Sequence, residues 1–365
     1  MDHAGRRDAL RGALADREAD AAVLAPGPNL QYFTGFRGEP GDRHTPLVVR
    51  RDGGALVVAA EAYAPQVRAN ADVGVRTVDG DAPEPVAAGV AAELGGADRV
   101  LLDGNARAAF ARALDAALDG TVASADPATT ARRITKDDAE RGALRRAAGL
   151  ADGVSTAVRA RGADAVGTTE RDLAREVRAE LFDAGAEALS FPVVVGSGPT
   201  GAEPALRHGD REIRRGDPVV LDFGGVLAGY ASDQTRTVVF AGDPPEGFVD
   251  AHEAVRAALD AGVAAAEPGV PASAVDRAAR GVLEERGYGD AIRHDTGHGV
   301  GLAAHEAPTV GPGSDRDLRP GMVFSVEPGV YLDGFGVRIE DLVLVTGSGA
   351  ERLNDSPRGW RPTRG

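Results

Sequence analysis

Acidic residues interrupt four stretches of the sequence that otherwise have the composition of β-strands. These stretches are rich in branched and aromatic side chains and comprise residues 218–225, 230–240, 322–329 and 336–345. The interrupting acids are Asp222, Asp233, Glu327 and Glu340. An ionised carboxylate on a buried strand is destabilising unless it is paired with a cation or binds a metal. Because few arginines lie in these stretches, the four acids together favour a metal site.

A glycine-rich stretch, residues 294–306, adds a nitrogen donor. It holds three of the chain's seven histidines, His294, His298 and His305. Glycines alternate around His298, and because glycine has no Cβ, backbone and ligand can approach each other closely there. A surface loop could have the same composition, so the interpretation as a site depends on the four acids. The histidines that we expect on the surface are His3, His44 and His252.

The donor set indicates two divalent metal ions. Four carboxylates balance the charge of two divalent cations, and His298 adds a neutral imidazole. Oxygen-rich coordination with one nitrogen and no sulfur suits Mn²⁺, Co²⁺, Zn²⁺ or Fe²⁺, of which we expect Mn²⁺. Bridging carboxylates hold such ions about 3.5–4 Å apart, the spacing of two-metal hydrolytic centres.

The elements that must position these residues lie in the longer, C-terminal part of the chain. Apolar residues at helical spacing predict helices over about 135–160, 169–185, 246–266 and 273–286. Thr135 is the predicted N-cap of the first helix, because an acid follows three residues later. The short glycine-containing link between the first two acidic strands predicts a hairpin that brings Asp222 and Asp233 together.

The N-terminal part of the chain predicts a smaller α/β domain. Short apolar strands alternate with helical patterns, as in a layered α/β unit. The strands are expected near 21–25, 47–49, 55–59 and 100–102, and the helices near 2–18, 61–70, 86–95 and 105–118. Asp52-Gly53-Gly54 predicts a hairpin turn. With a boundary near residue 130, the sequence predicts an α+β protein with domains 1–130 and 131–365.

Composition excludes several classes of function. The net charge of −15 argues against non-specific nucleic-acid binding, which requires a basic surface. No run of about 18 apolar residues indicates a membrane span, cysteine is absent and the start does not resemble a signal peptide, so we expect a cytoplasmic protein. Lys136 is the only lysine among many acids, which favours a salt-adapted, halophilic cytoplasm; a GC-rich genome is the alternative reason.

The order of the candidate ligands resembles that of the dinuclear pita-bread metallopeptidases, which include methionine aminopeptidase, aminopeptidase P and prolidase. The matching segments are 221–224, 232–237, 297–302, 305–306, 321–322, 326–329 and 337–341. Residues 29–36 resemble a segment of the creatinase-type N-terminal domain, which methionine aminopeptidases lack. The resemblance therefore favours the branch that cleaves Xaa-Pro bonds, and it implies a pita-bread catalytic domain, a smaller α/β domain before it and a homodimer.

The resemblance also implies roles for individual residues. The five implied metal ligands are Asp222, Asp233, His298, Glu327 and Glu340. They would hold two ions that bridge a hydroxide nucleophile, and Glu327 would also act as the catalytic base. His208 matches a histidine expected to hydrogen-bond to the substrate or to the nitrogen of the leaving group. His305 matches a histidine expected to stabilise the developing oxyanion. The two implied substrate-side residues are His294 and Arg338, the latter as a contact to a ligand or to a substrate carboxylate.

The implied activity is hydrolysis of Xaa-Pro bonds in dipeptides or short peptides, and an Xaa-Pro dipeptidase is the function we expect. The alternative within the branch is aminopeptidase P, from which no motif here distinguishes it. A creatinase-like C–N hydrolase or a catalytically silent pita-bread binding protein would resemble the same fold. Both of those lose metal ligands, whereas all five ligand positions are filled here.

Overall fold

The computed structural model describes residues 1–38, 43–205 and 207–362 of the chain. The chain divides into two units, Met1–Arg133 and Ile134–Gly365. Within the described residues, no helix is both long enough and apolar enough to cross a membrane.

The N-terminal unit is built on one mixed sheet with helices around it. Its strands are β1 (Ala21–Leu24), β2 (Leu47–Arg50), β3 (Ala55–Ala60), β4 (Gly74–Val78), β5 (Arg99–Leu102) and β6 (Thr121–Ser124). Its helices are α1 (His3–Ala15), α2 (Pro28–Thr34), α3 (Ala64–Asn70), α4 (Pro83–Leu94), α5 (Ala108–Ala117) and α6 (Asp126–Arg133). The strand order is β4-β3-β2-β1-β5-β6, with β2 antiparallel to both neighbours and the other pairs parallel.

The predicted hairpin at Asp52-Gly53-Gly54 is confirmed, because β2 and β3 pair antiparallel on either side of it. Helices α4 and α5 pack apolar side chains such as Val90 and Leu114 against the sheet. Helix α2 was not predicted: its seven residues are too few to show a periodicity. Pro28 in its first turn and Gly35 at φ 78° after its end mark its limits.

The C-terminal unit contains four longer helices and many short strands. The helices are α7 (Asp138–Ala160), α8 (Glu170–Asp183), α9 (Phe248–Ala265) and α10 (Ala272–Glu285). The strands are β7 (Ala188–Leu189), β8 (Val194–Ser197), β9 (Val219–Phe223), β10 (Gly225–Leu227), β11 (Tyr230–Ala231), β12 (Gln234–Val238), β13 (Gly297–Gly299), β14 (Glu306–Val310), β15 (Val323–Val326), β16 (Gly329–Leu332), β17 (Phe335–Arg338), β18 (Asp341–Thr346) and β19 (Gly349–Arg352).

These strands form small sheets between two pairs of helices. The sheets have the orders β11-β10-β7, β12-β9-β8, β14-β13-β15-β18-β19 and β16-β17. Helices α7 and α8 bury their apolar faces on β8, β9 and β12, while α9 and α10 bury theirs on β15 to β18. The fully buried members of these two cores include Leu173, Val177, Leu221, Val238, Val255, Leu259, Val275, Phe324 and Val343.

The acidic strands are shorter than the sequence predicts, and most of the acids lie at their breaks. Asp222 lies within β9, but Asp233 directly precedes β12, Glu327 directly follows β15, and Glu340 separates β17 from β18. The break between β9 and β10, at Gly224, follows from a close approach of two backbone segments. A Cβ on Gly224 would lie 1.9 Å from the carbonyl oxygen of Ser232. The predicted hairpin is confirmed in its main feature, since β9 and β12 pair antiparallel.

The N-cap of α7 is Asp137, so the prediction of Thr135 as the cap was wrong by two residues. The Asp137 carboxylate accepts the Glu140 backbone N–H at 2.9 Å, and the Glu140 carboxylate accepts the Asp137 N–H at 3.0 Å. The longer glutamate side chain completes this reciprocal pair, which the aspartate three residues after Thr135 does not. Glu140 also accepts the Tyr230 hydroxyl at 2.9 Å, which ties α7 to β11.

Two histidines predicted on the surface are buried. His44 is 7% exposed, and its ring stacks on Phe110 with 5.4 Å between ring centroids. His252 is 2% exposed on the apolar face of α9, and burial lowers its pKa to about 4. His3 is partly buried, and its Nδ1 lies 3.0 Å from the Tyr32 carbonyl oxygen. A single histidine at an apolar helix position is compatible with either environment, so the sequence pattern did not distinguish them.

Replacing the cap should destabilise the C-terminal unit. Asp137→Ala removes the side-chain acceptor for an otherwise unsatisfied helix N–H, at a cost of about 1 kcal/mol. We expect its thermal midpoint to fall by about 2–4 °C in a unit of this size. Thr135→Ala is the matched control and should change the midpoint by less than about 1 °C. Equal losses for the two variants, measured by calorimetry, would contradict the observed cap.

Candidate metal centre

His298 is held in the centre of the site by close backbone packing. It lies in β13, which pairs with β14 on one side and β15 on the other. A Cβ on Gly297 would lie 1.9 Å from the carbonyl oxygen of Ser325, so the alternating glycines are required by the approach of these strands. The His298 N–H donates to the Ser325 hydroxyl at 3.0 Å, and that hydroxyl donates to Glu327 at 3.0 Å.

The candidate ligands converge on His298 from separate strands. Ligand atoms of Asp233, His298 and Glu340 all lie within 4.8 Å of one another. The Nε2 atom of His298 lies 3.2 Å from Glu327 Oε1 and 3.7 Å from Asp233 Oδ2. Asp222 completes the cluster in β9, where it pairs with Thr235. The Glu327 N–H donates to the Thr296 carbonyl oxygen at 2.8 Å, and the Glu340 N–H donates to the Thr235 carbonyl oxygen at 3.1 Å. These bonds fix the backbone where the strands beside Glu327 and Glu340 are interrupted.

Neighbouring side chains orient two of the carboxylates and leave one oxygen of each unpaired. Thr235 donates its hydroxyl to Glu340 Oε2 at 2.8 Å, and Arg338 donates Nη2 to Asp222 Oδ2 at 2.7 Å. In the part of the chain that the structure describes, Asp222 Oδ1 and Glu340 Oε1 are buried without a hydrogen-bond partner. Buried acceptors of this kind require a partner. Hard oxygen donors beside one imidazole therefore fit divalent cations.

The electrostatics of the metal-free cluster are unfavourable. Burial, together with repulsion from neighbouring carboxylates, raises the pKa of Asp233 and of Glu340 well above the ordinary range. Burial also raises the pKa of Asp222 despite its ion pair with Arg338. Over the described residues, Arg338 is the only arginine or lysine whose side chain pairs with any of the four acids. A cluster with this excess of negative charge fits bound cations.

Glu327 and His298 form the exception within the cluster. Burial by itself would raise the pKa of Glu327, but hydrogen bonding to His298 and the nearby positive charges lower it. Burial by itself would lower the pKa of His298, but the Glu327 carboxylate raises it. Glu327 is therefore ionised at neutral pH even without metal.

The cluster forms one wall of a cavity of about 610 Å³ that His208 and His305 also line. The ring of His305 lies against that of His298, with 3.8 Å between centroids. Burial and the charge of His298 lower the pKa of His305. His208 is placed by a hydrogen bond of 3.0 Å between its Nδ1 and the Val193 carbonyl oxygen. The structure thus brings both predicted catalytic histidines to the predicted ligands.

His294 and Arg338 lie behind this wall and meet at a residue that sequence reasoning missed. The Tyr331 hydroxyl lies 2.8 Å from His294 Nε2 and accepts Arg338 Nη1 at 2.7 Å. Burial raises the pKa of Tyr331. Arg338 is 5% exposed and its Nε donates to the Thr235 hydroxyl at 3.2 Å. A tyrosine among the apolar residues of β16 was the only sequence signal for this contact.

A buried ion pair adjoins His305 and was also missed. Lys136 Nζ lies 2.8 Å from Glu306 Oε1, and the two side chains are 1% and 10% exposed. A Cβ on Gly301 would lie 2.3 Å from Glu306 Oε1, so glycine at this position leaves room for the glutamate. The pair joins the segment before α7 to the residue that follows His305. Its two residues are 170 positions apart, which no local pattern reveals.

The arrangement is suited to hydrolysis. Carboxylates and an imidazole that can hold two cations stand beside an ionised glutamate and two further histidines, and all of them line one cavity. Such a site can activate water, accept its proton and stabilise a developing oxyanion.

Comparison with known proteins gives matches to both units. A family model described as "Metallopeptidase family M24" matches residues 142–347, and one described as "Creatinase/Prolidase N-terminal domain" matches residues 6–134. A Mycobacterium tuberculosis protein named "Probable dipeptidase PepE" is 39% identical over 96% of this chain and 94% of its own length.

Solved structures show the same likeness along the whole chain. The prolidase from Thermococcus sibiricus has a TM-score of 0.92 and 33% identity, with 99% of each chain covered. The X-Pro aminopeptidase from Thermotoga maritima has a TM-score of 0.86 and 28% identity, with 97% of this chain and 99% of that chain covered.

Metal affinity should fall as the pH falls, because protons and cations compete for the same carboxylate oxygens. The raised pKa of Asp233 and of Glu340 means that this competition begins at a higher pH than for ordinary carboxyl groups. We expect a loss of about tenfold per pH unit for each proton displaced. Calorimetric Mn²⁺ titrations from about pH 5 to about pH 8, in buffers of different ionisation enthalpy, measure both affinity and proton release. Affinity independent of pH would contradict this prediction.

Asp233→Asn should stabilise the metal-free protein at neutral pH while weakening metal binding. The pKa of Asp233 is raised, so the folded chain binds more protons than the unfolded chain, and its stability falls as pH rises from about 4 through the raised pKa. Removing the charge removes part of that cost. Loss of a residue that only hydrogen-bonds to a metal ligand lowers metal affinity by about 10–100-fold. Loss of the ligand itself should therefore lower Mn²⁺ affinity by more than about 100-fold.

The matched control for this variant is Asp341→Asn. Asp341 is also fully buried, but it accepts Arg236 at 2.9 Å and Arg358 at 2.5 Å. Neutralising it leaves buried guanidinium charge uncompensated, at a cost of about 3–5 kcal/mol. With a chelator present, calorimetry should show opposite shifts of the thermal midpoint for the two variants, and shifts of the same sign would contradict the assignment.

Proposed function

The chain belongs to metallopeptidase family M24 and carries a creatinase/prolidase N-terminal domain, and we propose that it is an Xaa-Pro dipeptidase that uses two divalent metal ions. The observation that carries the proposal is the cluster of four carboxylates and His298, in which two buried oxygens have no partner among the described residues. The names of its relatives, dipeptidase and prolidase, support the same activity.

Five side chains would hold the ions. They are those of Asp222, Asp233, His298, Glu327 and Glu340. When bound, two such ions lower the pKa of water and polarise a carbonyl group. The orienting hydrogen bonds from Thr235 and Arg338 would keep the unpaired oxygens of Glu340 and Asp222 directed at the ions.

Glu327 would take the proton of the attacking water. Its lowered pKa keeps it ionised at neutral pH, and the Ser325 hydroxyl at 3.0 Å holds its Oε1 in place. The second carboxylate oxygen remains available as an acceptor. Glu327→Gln preserves the shape of this side chain but removes its basicity, which lowers the rate of general-base steps by about 10²–10⁴-fold.

The two cavity histidines would act on opposite parts of the scissile bond. The lowered pKa of His305 keeps its ring neutral, so that a ring N–H can donate to the developing oxyanion. His208 donates Nδ1–H to the Val193 carbonyl, which leaves Nε2 as an acceptor. Glu327, once protonated, would return its proton to the proline nitrogen as the C–N bond breaks, and His208 Nε2 can accept a hydrogen bond from the N–H so formed. Contact between substrate and His294 or Arg338 stays a prediction.

The alternative activity within this branch of the family is that of aminopeptidase P. The similarity to the structure of an X-Pro aminopeptidase supports this alternative. A silent binding protein is disfavoured, because all five ligand positions carry a ligand side chain and all five residues line one cavity. We further propose Mn²⁺ as the metal, a homodimer and a cytoplasmic location. The net charge of −15 with one lysine supports activity in concentrated salt.

The metal-stripped protein should regain hydrolysis of Ala-Pro when Mn²⁺ is restored. Ala-Pro should be a better substrate than Ala-Pro-Ala, while the reverse order would identify an aminopeptidase P. Co²⁺ and Zn²⁺ are compared at low and multimolar salt, and Glu327→Gln is the control, with a loss of at least about 100-fold. If neither peptide is cleaved by metal-loaded, folded protein, the proposal of Xaa-Pro hydrolysis is wrong.

A further inference from the structure

A second groove of about 630 Å³ continues from the catalytic cavity along the surface of α8. The two share part of their lining, namely Arg171, Phe191, Pro192, Val193 and His208. His208 therefore stands where one opens into the other. The combined space extends from the carboxylate cluster past His208 and onto α8, so a bound peptide has room beyond the residue that follows the scissile bond.

Three arginines of α8 line this second groove. Arg171, Arg175 and Arg178 are spaced by four and three residues, which places them on one face of the helix. The rest of its wall is mostly apolar and includes Leu189 and Phe191. We refer to the three arginines and this wall as the arginine groove.

The charges of the arginine groove are available to a ligand. Arg171 pairs with Asp210 and Arg175 with Asp172, but these partners are exposed, and exposed pairs contribute little and exchange readily. Arg178 stacks near Phe182 and forms no ion pair with any described residue. Arg207, which lines the catalytic cavity, has no such pair within the described ranges either. The groove thus presents more positive than negative charge, in the planar form that matches carboxylates.

The two ends of the space therefore have opposite charge. Four carboxylates line one end, and arginines line the other. The arginines repel the positively charged amino terminus of a peptide and attract its carboxylates. We propose that the arginine groove binds a carboxylate on the residue that follows proline in the substrate, and so gives the enzyme a preference for acidic residues at that position. This inference rests on the proposed Xaa-Pro hydrolysis and adds to it that peptides one residue longer than Xaa-Pro are also cleaved, more slowly than the dipeptide, with a specificity for the added residue.

The test compares two substrates that differ by one carboxylate, Ala-Pro-Asp-amide and Ala-Pro-Asn-amide, at low ionic strength with Ala-Pro as the reference. We expect kcat/KM to be about fivefold higher for the aspartyl peptide, through KM and with little change in kcat. The double variant Arg175→Gln/Arg178→Gln should bring the ratio close to one. Arg178→Glu should favour Ala-Pro-Lys-amide instead, because it reverses one charge of the groove.

The matched control is Arg68→Gln/Arg112→Gln, which removes the same charge from exposed sites in the N-terminal unit. It should leave the ratio unchanged. Equal kcat/KM for the two tripeptides, or no cleavage of either while Ala-Pro is cleaved, would overturn the arginine groove as a subsite and leave the proposed function intact. No cleavage of Ala-Pro or the tripeptides would overturn both.

Discussion

The site is dominated by mutual repulsion among four closely placed carboxylates, and within the described residues Arg338 is the only arginine or lysine that pairs with any of them. Arg338 pairs with Asp222 alone, and Asp233 and Glu340 are driven towards their neutral forms when no cation is present. Folding energy from the helix layers on either side must hold these groups together until metal relieves the repulsion. The centre is therefore stabilised by its surroundings and destabilised by its own charges, which is the usual condition of a site prepared for a ligand.

The fold places these charges by interrupting its strands. Inside a regular strand, side chains alternate between two faces, and ligands from different strands would point in fixed, divergent directions. The strands are interrupted beside Asp233, Glu327 and Glu340, and the backbone N–H groups of Glu327 and Glu340 bond to other segments instead. Short strands and small sheets are thus the structural means by which distant acids reach one imidazole.

Much of this site could be predicted from the sequence, because its strongest signal is local. Acids in apolar stretches and glycines around His298 are visible without any knowledge of the fold. The strand breaks were not predictable, since they arise from approaches such as that of Gly224 to Ser232, which depend on the partner strand. Tyr331 and the Lys136–Glu306 pair were missed for the same reason: both act through residues remote in sequence. The buried His252 was missed for a different reason. A histidine at an apolar helix position is compatible with a buried or an exposed environment, so the local pattern did not distinguish them.

The burial of Lys136 has a consequence for the chemistry of the whole surface. It is the only lysine of the chain, and its side chain is 1% exposed and ion-paired. The folded protein therefore presents no reactive ε-amine to acylating or cross-linking reagents. Acylation of this one side chain can proceed only when the segment before α7 separates from Glu306. The rate of that modification would consequently report how often the catalytic unit opens beside His305.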